Sequence, residues 1–489
     1  MARNSRFAIY SSLFSAASLL VTYKLAADSI GIGAIGMWSI ALALTSLTGV
    51  VDMGLPLAMV REVAKLASVA DWRSVTRLVL WAVLVSGGAT LVLAYVSVPA
   101  VQWVLERFVL KGAGLVPDGL LMACVLTVSL NSLNLLLTGV LEGLERYDLK
   151  FWSLLSGNSA MVTAVVLSSR AEQPPSIAWA FVVLYGCTAT ASGIAVWQSL
   201  RKKRGAHGGA SATRRGILLG NAIRIGAPLR MAGLASLFFE PISRFYFGAL
   251  GGLHSAGIYE VASRICVQVQ TLISSAVQVI VPRLMMLRES NQAENLALLR
   301  AGFGLTAIAA MLGLAGLLLG ITSASTLLLA GFDRDFAIFV ATLGAAWMFH
   351  VLASPAYFTN IADGTVHWNW ISQWSAVVVS AVVGPLAWLL FDSWQAIIIG
   401  PCAGLLSATL VALISLNRRR GERLLQLSFR DFRIIFVVAL VLGGCQLGGE
   451  FLFHGSWTLL TGIVTLGAFG AFALRFLTGA VARYSPASA

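Results

Sequence analysis

The chain has 489 residues, 58% of them hydrophobic and only 11% charged, with a mean hydropathy of +0.84. Soluble domains carry about a quarter of charged residues, so this composition excludes a water-soluble protein and indicates a polytopic membrane protein. The net charge of +13 does not signal nucleic acid, because the basic residues fall in short clusters between apolar runs, where they meet anionic lipid head groups.

Met1 to Arg6 are basic and precede an apolar run from Phe7 to Tyr23. That run exceeds the usual apolar core of a secretory signal, and a matching segment recurs later, so it reads as a first, uncleaved spanning helix. Apolar runs of spanning length, split at turn signals, then predict an all-α protein of about 14 transmembrane helices. They cover residues 7 to 28, 34 to 60, 78 to 104, 118 to 140, 151 to 169, 176 to 199, 228 to 249, 256 to 281, 302 to 328, 337 to 362, 370 to 391, 394 to 416, 434 to 454 and 457 to 477. Asp392 and Ser393 are the only break between the eleventh and twelfth.

With the N-terminus in the cytoplasm, cytoplasmic segments hold 26 of the 34 Lys and Arg residues. External loops hold Arg107, Lys111, Arg170 and Arg334, and the spans hold Lys24, Arg230, Arg244 and Arg264. This bias places both termini inside. The segment from Arg201 to Arg224, RKKRGAHGGASATRRGILLGNAIR, reads as a flexible cytoplasmic linker. The expected organisation is an N-lobe at 1–200, a linker at 201–227, a second six-helix lobe at 228–416, and two C-terminal helices within 417–489.

The second half echoes the first. Gly36-Met37-Trp38 corresponds to Gly257-Ile258-Tyr259 at an offset of about 221 residues, so helices 1 and 2 match helices 7 and 8. Six intervening helices preserve orientation, which predicts parallel repeats about an axis along the membrane normal. Under that offset Lys24 falls within one position of Arg244.

The eighth span carries a polar stripe. Glu260, Arg264, Gln268, Thr271, Ser275 and Gln278 recur at three- and four-residue intervals, on one helix face. An Arg or Glu at the centre of a spanning helix disfavours insertion by about 3 kcal/mol, so the stripe faces protein or water and is expected to line an aqueous cavity. Lys24, Arg244 and Arg264 lie on the matched helices, where a guanidinium fork suits a phosphate or diphosphate. The competing reading is that Glu240 with Arg244, and Glu260 with Arg264, are i to i+4 ion pairs that neutralise themselves on one helix.

In helix 4, Thr127, Asn131, Asn134, Thr138 and Glu142 share a face. Asn131 and Asn134, with Gln268, are candidates to contact a sugar, or to join helices by hydrogen bonds. Thr45, Thr48 and Asp52 share a face of helix 2, and Asp52, Glu240 and Glu260 are candidates for ion coupling or ion pairing. A lone His350 reads as a packing residue, and Pro56, Pro241 and Pro355 interrupt spans 2, 7 and 10.

No catalytic set stands out. The chain lacks a Walker sequence and any metal-ligand spacing, and its five cysteines sit singly in apolar runs. The expectation is a transporter without cofactor or metal.

The stretch ADSIGIGAIGMWSIALALTSLTGVVDMGLPLAMVREVA resembles the first two helices of bacterial polysaccharide flippases, and GVLEGLERYDLKFW resembles that family's helix 4 to helix 5 junction. These belong to the multidrug/oligosaccharidyl-lipid/polysaccharide (MOP) exporter superfamily. The resemblance implies two six-helix lobes and alternating access in the bacterial inner membrane. It also implies that an undecaprenyl-diphosphate-linked oligosaccharide is moved to the periplasmic leaflet, bound through cations on helices 1, 7 and 8, with other glycan-assembly membrane proteins as partners. Lys24, Arg244 and Arg264 occupy those helices, Lys24 in place of the frequent Arg. A multidrug antiporter of the same superfamily, a membrane-embedded glycan polymerase or ligase, and a non-transporting scaffold are the alternatives.

Overall fold

The computed structural model describes residues 2–52, 55–68, 71–111, 116–168, 175–204, 233–235, 237–278, 292–329, 331–363 and 365–420. Those residues are helical with short turns, and no strand occurs among them. Ten of their helices are long and apolar enough to cross a membrane. The expected spans at 434–454 and 457–477, and the expected linker beyond Arg204, lie outside the described residues. The chain divides into two compact units, Met1–Gly257 and Ile258–Ala489.

In the first unit the chain runs through α1 (Ala2–Ile30), α2 (Ile32–Ser46), α3 (Leu55–Ser68), α4 (Trp72–Ala82), α5 (Gly88–Val104), α6 (Leu120–Gly143), α7 (Tyr147–Ser168), α8 (Pro175–Arg204) and α9 (237–246). The helix α10 (Gly252–Gln278) begins there and continues into the second unit. Its polar stripe keeps it out of the ten spans despite its 27 residues.

Two expectations change on contact with the structure. The stretch 34 to 60, expected as one helix bent at Pro56, is two: α2 ends at Ser46, a 3-10 turn carries the chain from Leu47 to Asp52, and α3 restarts at Leu55. Pro56 sits in the first turn of α3, where its missing N–H costs no hydrogen bond. The stretch 78 to 104 is longer than expected, because α4 begins at Trp72 under an Asp71 cap that accepts from the Ser74 N–H at 3.1 Å. A π turn at Val83–Gly87 joins α4 to α5, and a second, at Leu105–Val109, follows α5.

Within this unit α6 packs against α2, α3, α5 and α8. Gly139 and Gly143, four apart on α6, admit the α3 backbone: a methyl on either would lie 2.7 Å from the carbonyl oxygen of Pro56 or of Val60. The same device joins α7 to α8, where a methyl on Gly157 would meet Thr188 Oγ1 at 1.9 Å. Small residues let spanning helices approach closely where lipid offers no hydrophobic drive for association. At the α6 to α7 junction Arg146 donates to Asp148 through Nε and Nη2, each at 3.0 Å, and Lys150 pairs with Glu142. The Asp148 hydrogen bond holds the Arg146 pKa above its ordinary value. The charges of GLERYDLK thus build a tight turn, with Glu145 at φ 57.

The second unit contains α11 (Gln292–Leu329), α12 (Arg334–Val351), α13 (Ser354–Ala362), α14 (His367–Phe391) and α15 (Ile399–Arg420). Ser354 and Pro355 start α13 one turn after α12 ends. Asp392, at φ 46 and ψ 38, separates α14 from α15. Those two helices touch at Gly384 and Gly400. Three buried polar side chains find partners inside: Asn360 Nδ2 donates to Asn369 Oδ1 at 2.7 Å, Asn369 Nδ2 donates to the Tyr357 carbonyl at 3.0 Å, and His350 Nδ1 lies 3.1 Å from Thr409 Oγ1.

Many hydroxyls in both units turn back on their own helices. Thr22, Thr45, Ser129, Thr138, Thr188, Thr306 and Thr359 each donate to the carbonyl four residues back on their own helix. Trp81, Trp103, Trp152 and Trp197 are exposed, as suits rings at a membrane interface.

Candidate functional site

The three cations expected to bind an anionic ligand all carry an acidic neighbour one helical turn away. Lys24 Nζ lies 2.7 Å from Asp28 Oδ1, Arg244 Nη2 2.8 Å from Glu240 Oε2, and Arg264 Nε 2.7 Å from Glu260 Oε1. The i to i+4 pairing is therefore realised in all three, and Asp28 is a member that the sequence reading did not single out. Their burial differs. Lys24 and Asp28 are partly exposed, at 28% and 44%. Arg244 is buried at 5% beside a Glu240 at 39%, whereas Glu260 is fully buried and Arg264 half-buried. Pairing lowers the cost of placing these charges in a low-dielectric bundle. A guanidinium offers five N–H donors in a planar fork, so a carboxylate bond does not preclude a phosphate.

Gln268, one turn beyond Arg264 on α10, is half-buried. Thr271 spends its hydroxyl on the Val267 carbonyl. The side chains of Ser275 and Gln278, and that of Asp52 at the end of its 3-10 turn, lie outside the described residues. On α6, Asn131 is half-buried and Asn134 is buried at 5%. Asn134 Oδ1 and Thr127 Oγ1 have no hydrogen-bond partner among the described residues, nor does the Trp38 Nε1 of α2. Trp38 is wedged between Tyr23 of α1 and Phe181 of α8, at centroid distances of 6.2 and 4.7 Å. Such orphaned polar atoms suit a water or a polar ligand.

The turns that enter α2 and α10 are minimal. One residue, Gly31 at φ 80, separates α1 from α2, and Gly252 at φ 87 opens α10 directly after the π turn Phe247–Gly251. Both occupy a left-handed region that glycine alone enters without strain, and they are 221 residues apart. Ser255 Oγ donates to the Phe247 carbonyl at 2.8 Å, satisfying an acceptor of the π turn.

Five residues past each turn the helices cross at Gly36 and Gly257. A methyl on Gly36 would lie 2.0 Å from the Leu253 oxygen and 2.7 Å from the Gly257 nitrogen; one on Gly257 would lie 2.1 Å from the Ile32 oxygen. Ile32 and Leu253 are themselves equivalent under the 221-residue offset. The sequence repeat is thus a pseudo-symmetric backbone contact. Nearby, Ile40 rests on Gly248, and Phe108 meets Phe245 at 6.0 Å.

Comparison with known proteins follows this geometry. The profile of the family described as polysaccharide biosynthesis protein matches residues 1–288. The chain is similar in fold to lipid II flippase MurJ in an inward closed conformation, with a TM-score of 0.62 at 15% identity over 98% of this chain and 100% of that one. It is similar to an inward-facing multidrug resistance MATE family transporter of the MOP superfamily, with a TM-score of 0.66 at 13% identity over 86% and 96%. A MOP superfamily transporter from Pyrococcus furiosus, with a binding pocket of reverse polarity, gives a TM-score of 0.59 at 12% identity over 86% and 94%. Among curated protein sequences no significant match is found.

Proposed function

This chain belongs to the polysaccharide biosynthesis protein family of the MOP superfamily, and from that premise we propose that it flips a polyprenyl-diphosphate-linked oligosaccharide across the bacterial inner membrane. Both termini lie in the cytoplasm in this reading, and the glycan moves from the cytoplasmic to the periplasmic leaflet for surface polysaccharide. The observation that carries it is the set of charged pairs on α9 and α10, the helices expected to span as the seventh and eighth, Arg244 with Glu240 and Arg264 with Glu260, in a chain of this family. Charge inside a membrane span is expensive and points to a transport path.

In the mechanism, the diphosphate competes with Glu240 and Glu260 for the guanidiniums, and Lys24 adds a third positive charge. Arg244 and Arg264 hold the anion through paired N–H donors. Gln268, Asn131 and Asn134 present amides to the sugars. When the path opens to the other side, the carboxylates reclaim their arginines and the cargo leaves. Alternating access of this kind needs neither cofactor nor metal. Anionic lipids line the cytoplasmic surface, and other glycan-assembly membrane proteins supply and receive the cargo.

One observation favours a second reading. Each cation is matched by a carboxylate, and Asp52, Glu240 and Glu260 would equally serve a proton-coupled exporter of organic cations. The test is complementation of a flippase-deficient bacterium by the wild-type chain and by Arg264→Ala at matched membrane abundance. Surface glycan restored by the first and lost with the second supports the flippase. Glycan restored by both removes Arg264 from the site; glycan restored by neither, together with drug resistance conferred by the wild type, supports the antiporter.

A further inference from the structure

We infer that the Gly36–Gly257 crossing is the releasable outer seal of the transport path, a reading that rests on the proposed function and its topology. Depth along the helices places it. Gly36 and Gly257 each lie five residues inward from a hairpin glycine, ~7.5 Å at 1.5 Å per residue. Lys24 lies seven residues before Gly31, ~10 Å, and Arg244 eight before Gly252, ~12 Å. Both cations are therefore deeper than the crossing, and a ligand held by them leaves outward only if α2 and the start of α10 part.

The contact is suited to parting. It is made by backbone: the Leu253 and Ile32 carbonyls face the Cα of Gly36 and of Gly257 at distances no side chain allows. Cα–H to carbonyl contacts of this kind are weak, and beside them Ile32 Cγ2 seats against Gly257, 2.6 Å from where a methyl would lie. Directly below, Ile40 sits on Gly248 and Phe108 on Phe245, so the seal is an apolar plug two layers thick. The Phe247–Gly251 π turn beside it provides a place where the helix changes length, as π turns often do at functional sites. The hairpin glycines have nothing within 4 Å of a built Cβ, so the turns themselves do not resist motion.

The geometry also supplies the lock with which to test it. A Cβ on Gly33 would lie 3.9 Å from Leu253 Cβ, within the range of about 3.5–4.5 Å that a disulfide spans. In the full chain with its native cysteines replaced, Gly33→Cys with Leu253→Cys should crosslink under mild oxidant, scored by mass spectrometry. The crosslinked protein should lose at least tenfold in export of lipid-linked glycan and recover on reduction, while each single cysteine exports normally. Undiminished export by fully crosslinked protein would overturn the seal.

A second readout does not depend on the cargo. Lys24→Cys should label slowly with a membrane-impermeant maleimide from outside, and several-fold faster when Gly36→Val holds the helices apart; Gly36→Ala serves if the valine variant fails to fold. Labelling that is unchanged refutes the seal. Faster labelling, where the wild-type chain itself exports no glycan, keeps the seal and rejects the flippase.

Discussion

Gly36 and Gly257, 221 residues apart in the chain, meet backbone to backbone. The hydrogen of Gly36 occupies the place where a methyl would be 2.7 Å from the Gly257 nitrogen. Each glycine reaches the carbonyl of the residue four positions before the other, the arrangement expected of two copies of one motif facing across a two-fold axis.

The Glu260–Arg264 pair separates folding from transport. Arg264→Ala takes from a fully buried carboxylate its 2.7 Å partner and should destabilise the protein by about 3 kcal/mol. Adding Glu260→Gln should recover most of the melting temperature in detergent without recovering glycan export. Export that returns with stability would show the arginine to be purely structural.

Gly157 tests the α7–α8 contact. Gly157→Ala places a methyl 1.9 Å from Thr188 Oγ1 and 2.6 Å from the Leu184 oxygen, an overpacking worth about 1–3 kcal/mol. Thermal unfolding should show the loss, and Thr188→Ala in the same chain should return only part of it, because the Leu184 carbonyl remains.

Asp392 adopts a left-handed conformation at φ 46. A β-branched residue is strained there, so Asp392→Val should lower stability by about 1–2 kcal/mol while Asp392→Gly stays within about 0.5 kcal/mol of the parent. Denaturation midpoints of the two purified variants decide it.

Asn369→Ala removes a 2.7 Å bond from Asn360 and a 3.0 Å bond to the Tyr357 carbonyl, both within the second unit's interior. A loss of about 1–3 kcal/mol is expected, read as earlier unfolding, with hydrogen exchange rising first around residues 357–369.

Hydropathy made most of the spans legible, since each apolar run of sufficient length has few other ways to satisfy its backbone in lipid. The polar stripe of α10 and the ion pairs were legible too, because i to i+4 spacing fixes both who shares a face and who touches. Asp28 escaped notice because it follows Lys24 at the end of its helix, where either charge can reach the interface. The break between α2 and α3 was hidden because Leu47, Val50 and Val51 carry the apolar run of α2 onward, and 3-10 winding leaves little mark on hydropathy. Gly36 and Gly257 were visible as a repeat, but periodicity does not say that two copies of a motif will touch.

The hydroxyls that donate to carbonyls of their own helices have a mechanical consequence. Many polar groups that might have stitched one helix to the next are already occupied, and bonds between helices such as Ser372 to the Ala408 carbonyl or Ser86 to Ser132 are single hydroxyls, so neighbouring helices meet largely through shape, with glycines against carbonyls and aliphatic chains against one another. Sliding between such surfaces breaks few directional bonds at any point along its course. The bundle is, in effect, lubricated: it can be well packed at each end of a stroke and still meet little friction between them.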